Sequence, residues 1–240
     1  MKVKKKDILI WNIILFLGFS YLFLYFQYAY QNHLSPFSLT LFKKSLELFW
    51  YAIIPIFCAQ VVVFFHHKKS INILLLSLAL VVYKVSEGLF LDFNKVILLA
   101  LFCFLVIAYF FYQLYDEYLQ LAYLNANYRK EDLFSPLLFE IECELIIGEE
   151  RFSGFLTNWD SEGCFLYLKS EQLPKVKKLR MEISFRGRKF IQDGEVVAQS
   201  TELHGIGLKF GENPKNLEVF NWAEFVELVH ELGFKPERLK

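Results

Sequence analysis

Hydrophobic and polar positions follow two different rhythms along this chain. In the first half, charge vanishes over whole helix lengths. Residues 8–30 (ILIWNIILFLGFSYLFLYFQYAY) carry no charged side chain over 23 positions, and about 20 apolar residues suffice to cross a bilayer as a helix. Residues 48–65 give 18 such positions and residues 96–115 give 20. A fourth run, 71–91, is clean from Ile71 to Tyr83 and then carries Lys84 and Glu87. The pattern predicts a membrane α-helical bundle of four transmembrane helices over these four segments. The first run is too long for a signal-peptide core and no A-x-A-like site follows it, so it reads as a retained span. The competing reading, buried helices of a soluble domain, fits poorly with four such runs in 115 residues.

From Leu137 the rhythm changes to period two. Phe139, Ile141, Cys143, Leu145 and Ile147 alternate with Glu140, Glu142 and Glu144, a strand with one wet face. RFSGFLTN, CFLYL (164–168), LRMEISF (179–185), KFIQDGEVVAQS (189–200) and GIGLKF (205–210) continue it, separated by turn residues. Short strands at such spacing predict an all-β barrel or sandwich. Residues 217–232 then read as an amphipathic helix through Leu217, Phe220, Phe225, Leu228, Val229 and Leu232. Between the two halves, 109–130 runs on from the fourth span without Gly or Pro, and Ser135-Pro136 ends any helix there. Leu114, Tyr118 and Leu121 form an apolar stripe with Asn125 next in the series. That stripe fits a homodimer contact through residues 109–130, or packing along the chain's own domain. The predicted organisation is a transmembrane region (1–115), a helical linker (116–136), a barrel (137–213) and a C-terminal helix and tail (214–240).

Composition reinforces the split. Apolar residues make up 55%, against about 45–50% in ordinary globular domains. This argues against a single soluble domain, and the 40 Phe and Tyr residues exclude disorder. The net charge of zero is the sum of unlike halves. Residues 1–115 hold ten Lys against four acids, +6, and residues 116–240 hold 16 basic against 22 acidic residues, −6. Lys2, Lys4, Lys5 and Lys6, then Lys68 and Lys69 beside His66 and His67, mark the inner side. Lys43, Lys44 and Lys95 fall in outer loops. The balance predicts a multi-pass protein of the bacterial inner (cytoplasmic) membrane with both termini in the cytoplasm. Trp11, Tyr28, Tyr30, Trp50, Tyr51, Tyr109, Tyr112 and Tyr115 crowd the span ends, as interfacial anchors do.

Chemistry-bearing patterns are few. Lys84 and Glu87 share a helix face. They are either an intramembrane functional pair or two side chains snorkelling to the outer interface. Pro55 predicts a kink, and no GxxxG dimer motif occurs. The four Cys form no CxxC, His66-His67 lacks ligand spacing, and no GxGxxG, Walker A or HExxH is present. The expectation is a non-enzyme with no metal site. Residues 175–189 hold seven basic residues (Lys175, Lys177, Lys178, Arg180, Arg186, Arg188, Lys189) and one acid, Glu182. This patch could meet anionic lipid, supply phosphate ligands, or be a solvated hairpin. A half of net −6 is not expected to take a nucleic-acid polymer.

The run GFLTNWDSEGCFLYL, then GEVVAQS and GIGLKF, resembles the PilZ family of cyclic di-GMP receptor domains over about residues 129–213. The resemblance implies a six-stranded β-barrel with a C-terminal helix. It implies a ligand motif in two parts, Asp/Asn-x-Ser-x-x-Gly in a turn and Arg-x-x-x-Arg just before the first strand. Here the turn is Asn158, Trp159, Asp160, Ser161, Glu162 and Gly163, with Asp160 at the family's Ser position. The second part begins with Arg129-Lys130, and Leu133 stands where the second Arg would be. Arg matters there because its planar fork binds phosphate bidentately and stacks on a purine. The resemblance therefore implies a membrane-anchored signalling protein with cyclic di-GMP as regulatory ligand at Arg129, Lys130, Asn158, Asp160, Ser161 and Gly163. Arg180, Arg186 and Arg188 form the accessory patch, and the downstream protein partner is unknown. The alternative is a PilZ-like structural or protein-interaction module that binds no nucleotide.

Overall fold

The computed structural model describes residues 2–3, 7–66, 69–128, 141–169, 176–211, 220–234 and 236. Contacts divide the chain into two compact units. Lys6–Leu119 form a helical unit, and Met1–Lys5 join Gln120–Lys240 in a β-rich one.

The helical unit holds α1 (Ile8–Gln31), α2 (Leu39–Leu48), α3 (Trp50–Phe64), α4 (Ser70–Leu91) and α5 (Lys95–Gln120). Helices α1, α4 and α5, with 24, 22 and 26 residues, are about 36, 33 and 39 Å long, each more than the roughly 30 Å hydrocarbon core. Three helices are thus long and apolar enough to cross a membrane, and α2 with α3, bent by 83°, would make a fourth span if they act as one. Exposed large apolar side chains follow the same division. Among the described residues they lie almost wholly between Ile8 and Leu114, while the β-rich unit exposes Phe220 and Leu232. A soluble domain does not present such a surface to water.

Helix α2 occupies a stretch the sequence pattern assigns to an outer loop. Ser38 caps it by accepting from the Leu41 N–H at 3.4 Å. Leu41 and Ser45 are buried, while Lys43, Lys44 and Glu47 are exposed. Its ten residues are too few to cross a bilayer by themselves, yet one apolar face is enough to seat the helix.

Polar side chains tie the helices pairwise, where apolar packing alone gives little selectivity in lipid. The Gln27 amide donates to the Val85 carbonyl at 3.1 Å, and Gln60 donates to that of Ile14 at 3.0 Å. The Ser77 hydroxyl donates to Pro55 O at 2.8 Å, Tyr21 and Ser45 share a hydrogen bond at 2.8 Å, and Ser70 and Tyr115 share one at 2.6 Å. Phe16 stacks on Phe104 at 5.3 Å, bringing α5 against α1. Lys84 and Glu87 pair at 2.6 Å with side chains 28% and 43% exposed.

In the β-rich unit, β1 (Lys2–Val3) precedes the membrane helices, and the other strands follow them. These are β2 (Glu142–Ile147), β3 (Glu150–Trp159), β4 (Gly163–Leu168), β5 (Lys178–Phe185), β6 (Arg188–Ser200) and β7 (Gly205–Phe210). The order β6-β5-β2-β3-β4-β7 is antiparallel throughout and closes by β6 pairing with β7, a six-stranded barrel. Two tight hairpins have glycines with positive φ, Gly148 (63°) and Gly187 (76°), as such turns require. Bulges at Thr157 in β3 and Val197 in β6 bend the ribbons so that the sheet closes.

Inward-facing residues of all six barrel strands, Cys143, Leu145, Leu156, Cys164, Leu166, Met181, Ile183, Val196, Ile206 and Leu208 among them, form one core. Helix α6 (Trp222–Glu231) closes it with Trp222, Phe225 and Val229. The helix starts later than the periodicity alone indicates, because Asn221 and Glu224 form a reciprocal capping box. Phe220 lies before the cap, bridged to Phe190.

Phe225 is fully buried and packs on Phe190 at 5.3 Å, Trp222 at 5.0 Å and Phe185 at 6.0 Å. Phe225→Ala should therefore lower barrel stability by about 3–5 kcal/mol. Denaturant unfolding followed by near-ultraviolet circular dichroism measures this.

Candidate ligand site at the junction of linker and turn

Past α5 the chain takes one residue, Leu121, and then a short 3-10 turn, Ala122–Leu124. Residues 122–128 lie along the outside of β3, β4 and β7. Three glycines make room for them. A Cβ on Gly207 would collide with the Tyr123 carbonyl oxygen, one on Gly163 with the Tyr123 ring and Leu208 O, and one on Gly205 with the Tyr128 hydroxyl. As a result, β4 and β7 are covered on both faces. Phe165 points outward from the core and is nevertheless fully buried, against Ala126 and Tyr128.

Asp160 joins this segment to the turn. Its Oδ1 accepts from the N–H groups of Glu162 (2.7 Å) and Gly163 (2.9 Å), which shapes the turn. Its Oδ2 accepts from the Ala122 N–H at 2.7 Å, the start of the linker. Its own carbonyl accepts from the Trp222 indole N–H at 2.8 Å, the start of α6. One residue thereby holds linker, turn and closing helix. Asn158 adds a second tie, its amide donating to Asn125 O at 2.9 Å. Thr157, the bulged residue, donates from its hydroxyl toward the carbonyls of Ala126 and Phe165, both at 3.0 Å. At the far end the Tyr128 hydroxyl donates to Leu203 O at 2.6 Å. Burial, with Tyr167 beside it, pushes the Tyr128 hydroxyl well above its ordinary range, so it stays a donor. Lys209 flanks the turn, 3.5 Å from the Glu162 carboxylate and 5.4 Å from the Tyr123 ring centre.

Of the residues singled out in the sequence, Asn158, Asp160 and Gly163 come together with the linker, and Ser161 is exposed at the tip of the turn. Arg129, Lys130 and Leu133 lie outside the described residues, as does Lys175. Arg180, Arg186 and Arg188 do not join the turn. Arg180 lies on β5, separated from β4 by β2 and β3 one way round the barrel and by β6 and β7 the other. Its guanidinium pairs with Asp193 at 2.9 Å, and that hydrogen bond raises its pKa further. Arg186 and Arg188 stand at the β5–β6 hairpin, over the rings of Phe185 (5.9 Å) and Phe220 (5.3 Å).

The stripe over 109–130 divides. Of its members Tyr118 is buried, Leu121 and Asn125 are half-buried, and Leu114 is exposed, as are Tyr109 and Phe110 beside it. Cys143 and Cys164 are buried, and burial pushes both thiols far above the ordinary range. Among the described residues no cluster of His, Cys, Asp and Glu could hold a metal.

The residues that sequence reasoning did not place at the site are Tyr123, Asn125, Ala126, Tyr128, Gly205 and Gly207. The signal for them was the glycine spacing. Gly205 and Gly207 sit two apart on one face of a strand, which marks a close backbone approach. No protein-family model matches the chain, and no curated protein matches it.

Asp160→Ala leaves three backbone donors without their acceptor. Hydrogen bonds to a charged group are worth about 1.5–3 kcal/mol each, so the loss should exceed about 2 kcal/mol. Amide hydrogen exchange at Ala122 should accelerate with it, and Asp160→Asn, which keeps one acceptor oxygen, should show a smaller effect.

Proposed function

We propose that this chain is a membrane-anchored signalling protein of the bacterial inner membrane, with a PilZ-like barrel that receives cyclic di-GMP where the linker meets the turn. The barrel and both termini lie in the cytoplasm, the side marked by the basic N-terminal run. One observation carries the reading. The segment that runs directly into Arg129 and Lys130 is docked on the Asn158–Gly163 turn through Asp160 and Asn158. Arg129 follows Tyr128, the last described residue of that docked segment, directly in sequence, about 30 residues before the turn. The nucleotide would bring its phosphates to Arg129 and a guanine edge to the turn, where Ser161 is exposed. Because the linker begins one residue after α5, a ligand that tightens or loosens its hold on the turn acts directly on the last membrane helix.

A second reading is a protein-interaction module that keeps the barrel and takes no nucleotide. Two facts favour it. Both Asp160 carboxylate oxygens are already occupied by backbone donors, and Leu133 replaces the second arginine.

Titration calorimetry of the full chain in detergent with cyclic di-GMP separates the two. The receptor reading expects micromolar binding that Arg129→Ala abolishes. Leu133→Arg should tighten it about tenfold or more, the worth of one charge-assisted phosphate contact. No heat from either the native chain or Leu133→Arg overturns the receptor reading in favour of the interaction module.

A further inference from the structure

The N-terminal strand lies in the β-rich unit, yet the chain passes through the whole helical unit before the barrel begins. Lys2 pairs with Gln199 and Val3 with Ala198, on the edge of β6 that β5 leaves free after Glu195. The neighbours of this pairing form a continuous row. Val3 lies opposite Ala198, Ala198 opposite Gly207, and Gly207 directly against the carbonyl of Tyr123 in the linker. The N-terminal strand and the start of the linker therefore meet the barrel at neighbouring positions, one on β6 and the other on β7 and the β3–β4 turn.

The lengths of the two connections to the helical unit limit what they can do. Only residues 4–7 separate Val3 from the start of α1, and five Cα–Cα steps reach at most about 19 Å. Leu121 alone separates α5 from the 3-10 turn, a reach of under about 8 Å. Neither connection can span the roughly 30 Å hydrocarbon core. The beginning of α1 and the end of α5 must then lie on the barrel's side of the membrane, which requires an even number of crossings between residues 8 and 120. Helices α1, α4 and α5 supply three. Helix α3 has 15 residues, about 22 Å, and is preceded by the amphipathic α2 at an 83° bend.

We infer that residues 2–3 are a second tether, a strand clamp by which the barrel bridges the first and last membrane helices, and that the bent pair α2–α3 is a full crossing rather than a re-entrant loop. Helix α2 lies in the outer interface with Lys43, Lys44 and Glu47 in water, and α3 crosses alone, a short helix accommodated by local thinning of the bilayer. The inference holds whether or not the barrel takes a nucleotide.

Two measurements on the full chain test it, both in a Cys58→Ser, Cys103→Ser background. In the first, Lys2→Cys with Gln199→Cys should form a disulfide under mild oxidation, as should the control pair Lys178→Cys with Glu195→Cys, which face each other across β5 and β6. In the second, single cysteines are labelled with a membrane-impermeant maleimide in sealed vesicles. Lys69→Cys and Glu202→Cys should react from one side, Phe37→Cys and Asp92→Cys from the other. Either of two results overturns the inference. One is the control pair closing while the Lys2–Gln199 pair does not. The other is Lys69→Cys reacting from the same side as Phe37→Cys, which would make α2–α3 re-entrant.

Discussion

The carboxylate of Asp160 is the interaction on which the arrangement of the β-rich unit depends. A turn between two strands needs acceptors for its own N–H groups, and a short acidic side chain supplies them locally. Asp160 does this with one oxygen and uses the other for the first N–H of the linker, while its backbone carbonyl takes the Trp222 indole. Three segments that are distant in sequence are thereby fixed to one residue. Without it the linker would still have Asn158, Thr157 and Leu203 as partners. It would lose the tie at Ala122, two residues past the end of α5.

The rest of the docking is backbone against backbone. Gly163, Gly205 and Gly207 remove the side chains that would hold the linker off the barrel, and the bulge at Thr157 turns a hydroxyl toward the Ala126 carbonyl. The outward face of β4 and β7 is consequently buried at Gly163, Phe165, Gly205 and Gly207. The helical unit solves the opposite problem. Lipid offers its helices no hydrophobic reason to prefer one another, so single polar side chains such as Gln27, Gln60 and Ser70 choose the partners.

The membrane helices were legible because uncharged runs of their length seldom arise outside a bilayer, and six strands were legible from period two. Helix α2 was not. Its Lys43, Lys44 and Glu47 read as a loop, and its single buried face, Leu41 and Ser45, is too short to stand out. In the candidate site, Asn158, Asp160 and Gly163 were recognisable as turn residues from their types. Their bonds to the linker were not, since the partners are main-chain atoms of Ala122 and Asn125, which any residue carries. The N-terminal strand was hidden for the same reason. Two residues in a lysine run show no alternation, and their ladder partners are backbone groups of β6.

The close approach of Tyr123 to Gly207 also makes the linker a ruler. Ala122, Asn125, Ala126 and Tyr128 are each pinned to a fixed point of the barrel, and a carbonyl rests where no Cβ fits. A segment held at that many places within seven residues has no slack to absorb a change in length. Gain or loss of one residue between Ala122 and Tyr128 would break at least one of these ties. The length of this junction, more than the identity of most residues in it, is what the architecture can least afford to vary.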